Sequence, residues 1–262
     1  MNGINFGQYI PRDSWVHNLD PRAKLYLVVV LMATVIGVSG LPGILTTLAY
    51  AAWLMMLAKV PFRTYWQNTR TLLIIVAITV IFQILLVPGE VVFRWWIVSV
   101  TDYGLRLGAL MTYRLLMIYL LAQLLTLTTS PLQMTDALER ILKPFSRVGI
   151  QAHELAMIMT IALRFIPVFF EETDKIVKAQ VSRGADFQSG WVKSARNLVS
   201  IIVPLFNRAL RRADELALAM EARCYAGGEG RTRLHTMKMK SADYTVIGLT
   251  TALAVAVFLF RL

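Results

Sequence analysis

Residues 104–144 read GLRLGALMTYRLLMIYLLAQLLTLTTSPLQMTDALERILKP, and the fold turns on where this stretch changes character. From Gly104 to Thr129 it is an apolar run long enough to cross the roughly 30 Å hydrocarbon core of a bilayer as a helix. Arg106 and Arg114 are its only charges. At Ser130-Pro131 the run stops, and charged residues follow at helical spacing. Upstream, three more apolar runs cover Leu25 to about Gly40, Gly43 to Ala58, and Thr71 to Val87. Leu41-Pro42-Gly43 turns the first into the second, and Pro88-Gly89 ends the third. A fifth run covers Tyr244 to Phe260. The chain thus reads as an all-α integral membrane protein of five transmembrane helices. Its 56% hydrophobic and 16% charged content, over 262 residues, agrees. Residues 1–24 hold no apolar signal-peptide core, so the first run is expected to persist as a membrane helix.

Residues 131–242 differ from the rest. They hold 17 of the 27 Lys and Arg and 11 of the 16 Asp and Glu. The expected domains are therefore 1–130, with four membrane helices; 131–242, a helical cytoplasmic segment; and 243–262, a final membrane helix. Together with the N-terminal arm and the loop after the second helix, this segment carries 23 of the 27 basic residues. Positive charge collects on the cytoplasmic side, so the N-terminus and the insert are expected there and the C-terminus outside. Phe93, Trp95 and Trp96 on the opposite side suggest an aromatic belt or a short helix on the membrane surface.

Three helices are expected in the insert, over Leu132–Leu142, about 151–182 and about 191–223. Thr135 or Ser130 is the expected cap of the first. Each of the other two makes a rod of about 50 Å, amphipathic in its second half. On the last, Phe206, Ala209, Leu210, Ala213, Leu216, Ala217 and Met220 share a face, with Arg211, Arg212, Asp214 and Glu215 opposite. Leu155 to Phe170 is apolar enough to tempt a sixth span, but Arg164, Pro167 and Glu171-Glu172 favour a segment packed on the membrane domain or dipping into the interface. Pro167 and Pro204 are expected hinges.

Signals for catalysis are sparse. No phosphate-binding G-x-x-x-x-G-K-[ST] loop is present, and His153-Glu154 has no second histidine four residues after the first. His17, His153, His235 and the single Cys224 offer no metal-ligand spacing, so neither a metal nor a cofactor is expected. Glu171-Glu172 and Asp214-Glu215 read as solvated faces. Eleven acids interleaved among the bases argue against nucleic acid. Arg114, near mid-bilayer, needs a protein or water partner, for which Gln83 and Gln123 are candidates. A self-sufficient transporter using Arg114 in its pathway is the alternative reading. Gly104-x-x-x-Gly108 and Ala33-x-x-x-Gly37 offer close-packing faces, for internal helices or a partner.

The residues that stand out close the two rods: Ser182-Arg183-Gly184 and Ala222-Arg223-Cys224. An arginine suits the electronegative end of a helix. Small neighbours let another surface approach, and a guanidinium fork can engage that surface's carboxylate or carbonyls. With this layout, and the entry Asp20-Pro21-Arg22-Ala23-Lys24, the whole chain resembles the transmembrane component of energy-coupling-factor transporters. The resemblance implies a non-catalytic subunit in a bacterial cell membrane. It implies that two ABC ATPase subunits bind Ser182, Arg183 and Gly184 at one rod, and Ala222, Arg223 and Cys224 at the other. It further implies a separate substrate-binding membrane subunit that carries a vitamin or other micronutrient. Ser182 and Cys224 depart from the commonest Ala-Arg-Gly form of the motif, although both are small.

Overall fold

A computed structural model of the chain describes residues 9–88, 91–95, 98–144, 151–185, 191–225, 227 and 239–259. Its helices are α1 (Pro21–Gly37), α2 (Leu41–Ala58), α3 (Phe62–Leu86), α4 (Asp102–Thr128), α5 (Pro131–Leu142), α6 (Ala152–Ser182), α7 (Trp191–Ala222) and α8 (Ser241–Leu259). By length and composition, α2, α3, α4, α6 and α8 can each cross a bilayer. This is a helical, multi-pass membrane protein. Two elements sit at the margin of the length and hydropathy of a span. At 17 residues, α1 is about 25 Å long, so it falls short of the hydrocarbon thickness. The apolar stretch of α6 satisfies the length and hydropathy needed for a span.

The third helix also begins earlier than its apolar run. It starts at Phe62, after Pro61 in extended conformation, so Arg63 and Arg70 ride on its first turns and not in a loop. Between α3 and α4 lies an antiparallel hairpin of β1 (Val91–Trp95) and β2 (Val98–Thr101), pairing Phe93 with Val100, Arg94 with Ser99 and Trp95 with Val98. The expected short surface helix is absent at Phe93 and Trp95. Val, Phe, Trp and Thr favour a pleated backbone, and that preference prevails here. Trp96 lies outside the described residues.

The chain forms two compact units, residues 1–134 with 235–262, and residues 135–234. In the first, α1, α2, α4 and α8 contribute to one core containing Leu27, Leu31, Val35, Leu54, Leu121, Leu127 and Val246. Apolar burial gives little drive between helices in lipid, so close packing and interhelical hydrogen bonds carry the association. A Cβ on Gly104 would stand 2.7 Å from the Thr101 hydroxyl and 3.0 Å from the Gln83 carbonyl, and one on Gly37 would stand 2.5 Å from the Phe258 ring. Both small-residue faces therefore serve internal packing, of α4 on α3 and of α1 on α8. The Tyr50 and Thr250 hydroxyls bond at 2.8 Å, those of Tyr26 and Thr251 at 3.0 Å, and the Tyr119 hydroxyl donates to the Asn68 carbonyl at 2.9 Å.

One end of this unit is tied by buried charge. Asp20 caps α1 by accepting the Arg22 N–H, and its carboxylate also takes two bonds at 3.0 Å from the Arg22 guanidinium. Pro21 occupies the first helical position, where no donor is needed. The Asp20 N–H donates to Asp243 at 2.8 Å, and the Lys240 N–H to the same carboxylate at 2.7 Å. Lys24 is 3% exposed, and its ammonium donates to the carbonyls of His17 and Thr128 at 3.0 and 2.9 Å. Those bonds offset the desolvation of a buried cation. Nearby, burial pulls the His17 imidazole below its ordinary pKa. Its Nε2 meets the Ile10 carbonyl at 3.1 Å and its Nδ1 meets the Ser14 hydroxyl at 2.6 Å.

Candidate functional site

The second unit is built on α6 and α7. Proline removes a backbone donor, so Pro204 leaves the carbonyl four residues earlier without its helical partner. That carbonyl belongs to Ser200, and it accepts from the Gln180 side chain at 3.2 Å. Eight residues away on each helix, Glu172 accepts from Arg208 at 2.7 Å and from Arg212 at 3.2 Å. Positions rise along α6 as they fall along α7, so the two helices run in opposite directions past each other. Arg212 thus reaches toward α6 while staying partly open to solvent, and Glu172 bridges helices where the sequence suggested a solvated face. Both helices continue through Pro167 and Pro204. At the start of α6, His153 Nδ1 meets Glu139 of α5 at 3.0 Å.

The two helix ends share one geometry. On α6, the Gly184 N–H bonds the Val181 carbonyl at 2.9 Å, and the Ala185 N–H bonds the Gln180 carbonyl at 3.0 Å. On α7, the Cys224 N–H bonds the Glu221 carbonyl at 2.8 Å, and the Tyr225 N–H bonds the Met220 carbonyl at 3.0 Å. Each is a Schellman motif, which closes the last turn around a left-handed residue. That residue is Gly184 at φ +88° on one helix and Cys224 at φ +54° on the other. In both, the arginine is the last residue before the left-handed turn, and it is exposed along with its small neighbours. Cys224 has therefore replaced glycine in side chain but not in backbone conformation.

The structure does not gather Arg183 and Arg223 into one pocket. From Glu172, Arg183 is 11 residues along α6, and from Arg208, Arg223 is 15 residues along α7. These spans are about 16 and 22 Å of helix on arms that diverge in direction. Between the ends, Ile158 of α6 and Val203, Phe206, Leu210 and Leu218 of α7 remain exposed, so much of the apolar face of α7 has no cover among the described residues. Arg114 stands apart, in the first unit. It donates to the Val38 carbonyl at 2.9 Å, and neither Gln83 nor Gln123 is its partner.

Known proteins resemble this chain along nearly all of its length. The family of cobalt transport proteins called CbiQ matches residues 12–234. The energy-coupling factor transporter transmembrane protein EcfT of Thermosediminibacter oceani is 45% identical over 262 residues, covering 100% of this chain and 99% of that protein. The chain belongs to the EcfT family. EcfT of Acidaminococcus fermentans is 46% identical across 93% of the chain and 91% of its own length. EcfT of Clostridium kluyveri is 44% identical across 93% and 92%. Membership makes the chain a transmembrane component of an energy-coupling-factor transporter, and it puts both arginine ends inside or next to the region shared with the family.

Proposed function

We propose that the chain is the coupling scaffold of its transporter. Two ABC ATPase subunits dock on the helix ends, one on Ser182, Arg183 and Gly184, the other on Ala222, Arg223 and Cys224. The observation that carries this reading is the repetition of one cap geometry, with one exposed arginine, at the ends of two oppositely directed helices. A lone arginine at a helix end is ordinary capping. Two identical ends on joined rods make paired contact points for a pair of like subunits.

In this reading, ATP binding brings the ATPases together and displaces the helix ends relative to each other. The Gln180–Ser200 and Glu172–Arg208 contacts hold α6 and α7 as one crossing, so displacement at the ends becomes a shift of the exposed apolar face. A separate substrate-binding membrane subunit rests on that face, and its reorientation delivers a vitamin or other micronutrient. Residues 131–242 and the N-terminus then lie in the cytoplasm. The chain itself supplies no catalytic group; hydrolysis belongs to the ATPases.

The test is co-purification with the ATPases in mild detergent, together with ATP-dependent uptake in vesicles. Losing one partner of a desolvated charged contact costs about 2–5 kcal/mol. Arg183→Ala or Arg223→Ala should weaken assembly accordingly, and the double substitution should abolish uptake. Both side chains are exposed, so the variants should elute and melt like the parent chain. Uptake undiminished in the double variant would overturn the docking role.

A further inference from the structure

Arg114 is a cation held deep in the membrane unit with one neutral partner. Its only hydrogen bond among the described residues is the Nη2 donation to the Val38 carbonyl at 2.9 Å, its Nε is buried without a partner, and no carboxylate lies within ion-pair range. The carbonyl belongs to the C-cap residue of α1, so the guanidinium supports the electronegative end of that helix. It does so with part of its surface still open, since the residue is half-buried.

Its depth follows from two contacts between the same pair of helices. Lys24 reaches the carbonyl of Thr128, and Arg114 reaches that of Val38. These contacts are 14 residues apart on both α1 and α4, about 21 Å. Further along α4, Arg106 and Asp102 pair at 3.1 Å without protein cover, and charged groups left uncovered by protein belong at the interface and not in hydrocarbon. Arg106 is eight residues from Arg114, about 12 Å. The α1–α2 turn therefore stops well short of the level that α4 reaches, and its tip lies within the hydrocarbon thickness of an undisturbed leaflet. Non-helical backbone at such depth requires protein or polar cover.

The tip adds donors of its own. Gly40 caps α2 without a side-chain hydrogen bond, and Pro42 sits in the first turn. The Ile44 N–H is taken by Gly40 at 3.1 Å, which leaves the N–H groups of Leu41 and Gly43 as the orphan donors of the helix start. Ser39 is exposed at the turn, while Ile36, Leu41 and Leu45 present apolar surface around it.

We propose that Arg114 binds the headgroup phosphate of a phospholipid from the leaflet opposite Lys24, drawn down onto the α1–α2 turn. The phosphate supplies the missing countercharge. A guanidinium fork suits it in geometry, and the leaflet presents it at high local concentration. Its acyl chains lie along Ile36, Leu41 and Leu45. The membrane is thinned at this tip, and the polar turn meets headgroup and water.

The full chain, with its arginine side chains labelled with nitrogen-15, is reconstituted in phosphatidylglycerol vesicles free of inorganic phosphate. Nitrogen–phosphorus dipolar dephasing is then recorded by solid-state NMR. A guanidinium signal in contact with phosphorus is expected, and Arg114→Gln removes it. In phosphate-free galactolipid vesicles supplied with inorganic phosphate, that contact is expected to be absent. A spin label at Ser39→Cys, in a Cys224→Ser background, gives a second readout. Collisions with a water-soluble nickel reagent should be frequent, should fall in Arg114→Gln, and should persist in Arg114→Lys, which keeps the charge. Equal dephasing with and without Arg114, a contact that appears only with inorganic phosphate, or a label at Ser39 shielded from nickel in the parent chain would each overturn the proposal.

Discussion

Replacing Cys224 by glycine should tighten the end of α7. The residue sits at φ +54°, where an L side chain costs about 1–2 kcal/mol. Glycine removes that strain but widens the unfolded ensemble, which returns about 0.4–1 kcal/mol. The balance favours Cys224→Gly by roughly 0.5–1 kcal/mol, from the two figures just given. The change is local, because helix ends open independently of the rest of a fold. It is read from amide hydrogen exchange at residues 224 and 225, whose N–H groups bond Glu221 at 2.8 Å and Met220 at 3.0 Å. Exchange there should slow by about two- to fivefold, the factor that free-energy difference sets. Gly184→Cys should do the reverse at residues 184 and 185, by a similar factor. Faster exchange in Cys224→Gly, or no effect from Gly184→Cys, would refute the shared left-handed cap. ATPase co-purification should survive Cys224→Gly, since the arginine and the backbone path are unchanged.

Lys24→Met should leave the buried carbonyls of His17 and Thr128 unpaired and should cost about 2–5 kcal/mol. A loss on the order of 10 °C in the melting temperature of detergent-solubilised chain would register it; an unchanged melt would mean that the ammonium is not buried. Gly104→Ala should cost about 1–3 kcal/mol by overpacking, since the Thr101 hydroxyl it would strike is held at 3.0 Å to the Val87 carbonyl. Chemical denaturation in mixed micelles measures this. Glu172→Gln should cost only about 1 kcal/mol, because Arg208 and Arg212 remain in contact with solvent. Hydrogen exchange in the middle of α6 and α7 should rise modestly, and a collapse of protection across both helices would show that the ion pair holds more than the hydrophobic contact does.

Much of this architecture is legible in the residues, because its punctuation is local. Ser130-Pro131, Lys143-Pro144 and Arg183-Gly184 stop or start helices through backbone chemistry alone, and the end of α4, both ends of α5 and the end of α6 fall at those points. Ser130, and not Thr135, caps α5, in reciprocal bonds with Gln133 at 3.2 and 3.3 Å. Where charge crosses an interface on a continuing helix, the same logic misleads. Arg63 and Arg70 break the apolar run without breaking α3. The hairpin at Val91–Thr101 carried its own signal, a run of Val, Phe and Trp, which reads equally as a membrane belt.

For the candidate site, the arginine motifs are visible in sequence, and their backbone equivalence is not. Nothing in the letters Ala222-Arg223-Cys224 says that cysteine takes the conformation of Gly184. The Gln180–Ser200 bond is also invisible, since it depends on the register of α6 on α7. Asp243 left one trace, an acid in the first turn of α8, but its partner lies 223 positions earlier in the chain.

That separation has a consequence for biosynthesis. Asp20 leaves the ribosome long before Asp243 exists, and at about 5–20 residues per second the interval is roughly 11–45 s. Throughout it, the start of α1 waits in the membrane without the bond from the Asp20 N–H to Asp243 that joins it to α8. The four earlier helices can insert, but the core to which Val246 contributes can close only when the last helix arrives. A nascent chain interrupted between the two aspartates is thus marked as unfinished, with an open seam along α1 that quality-control proteases can read. Arrival of α8 and closure of the membrane unit become a single event.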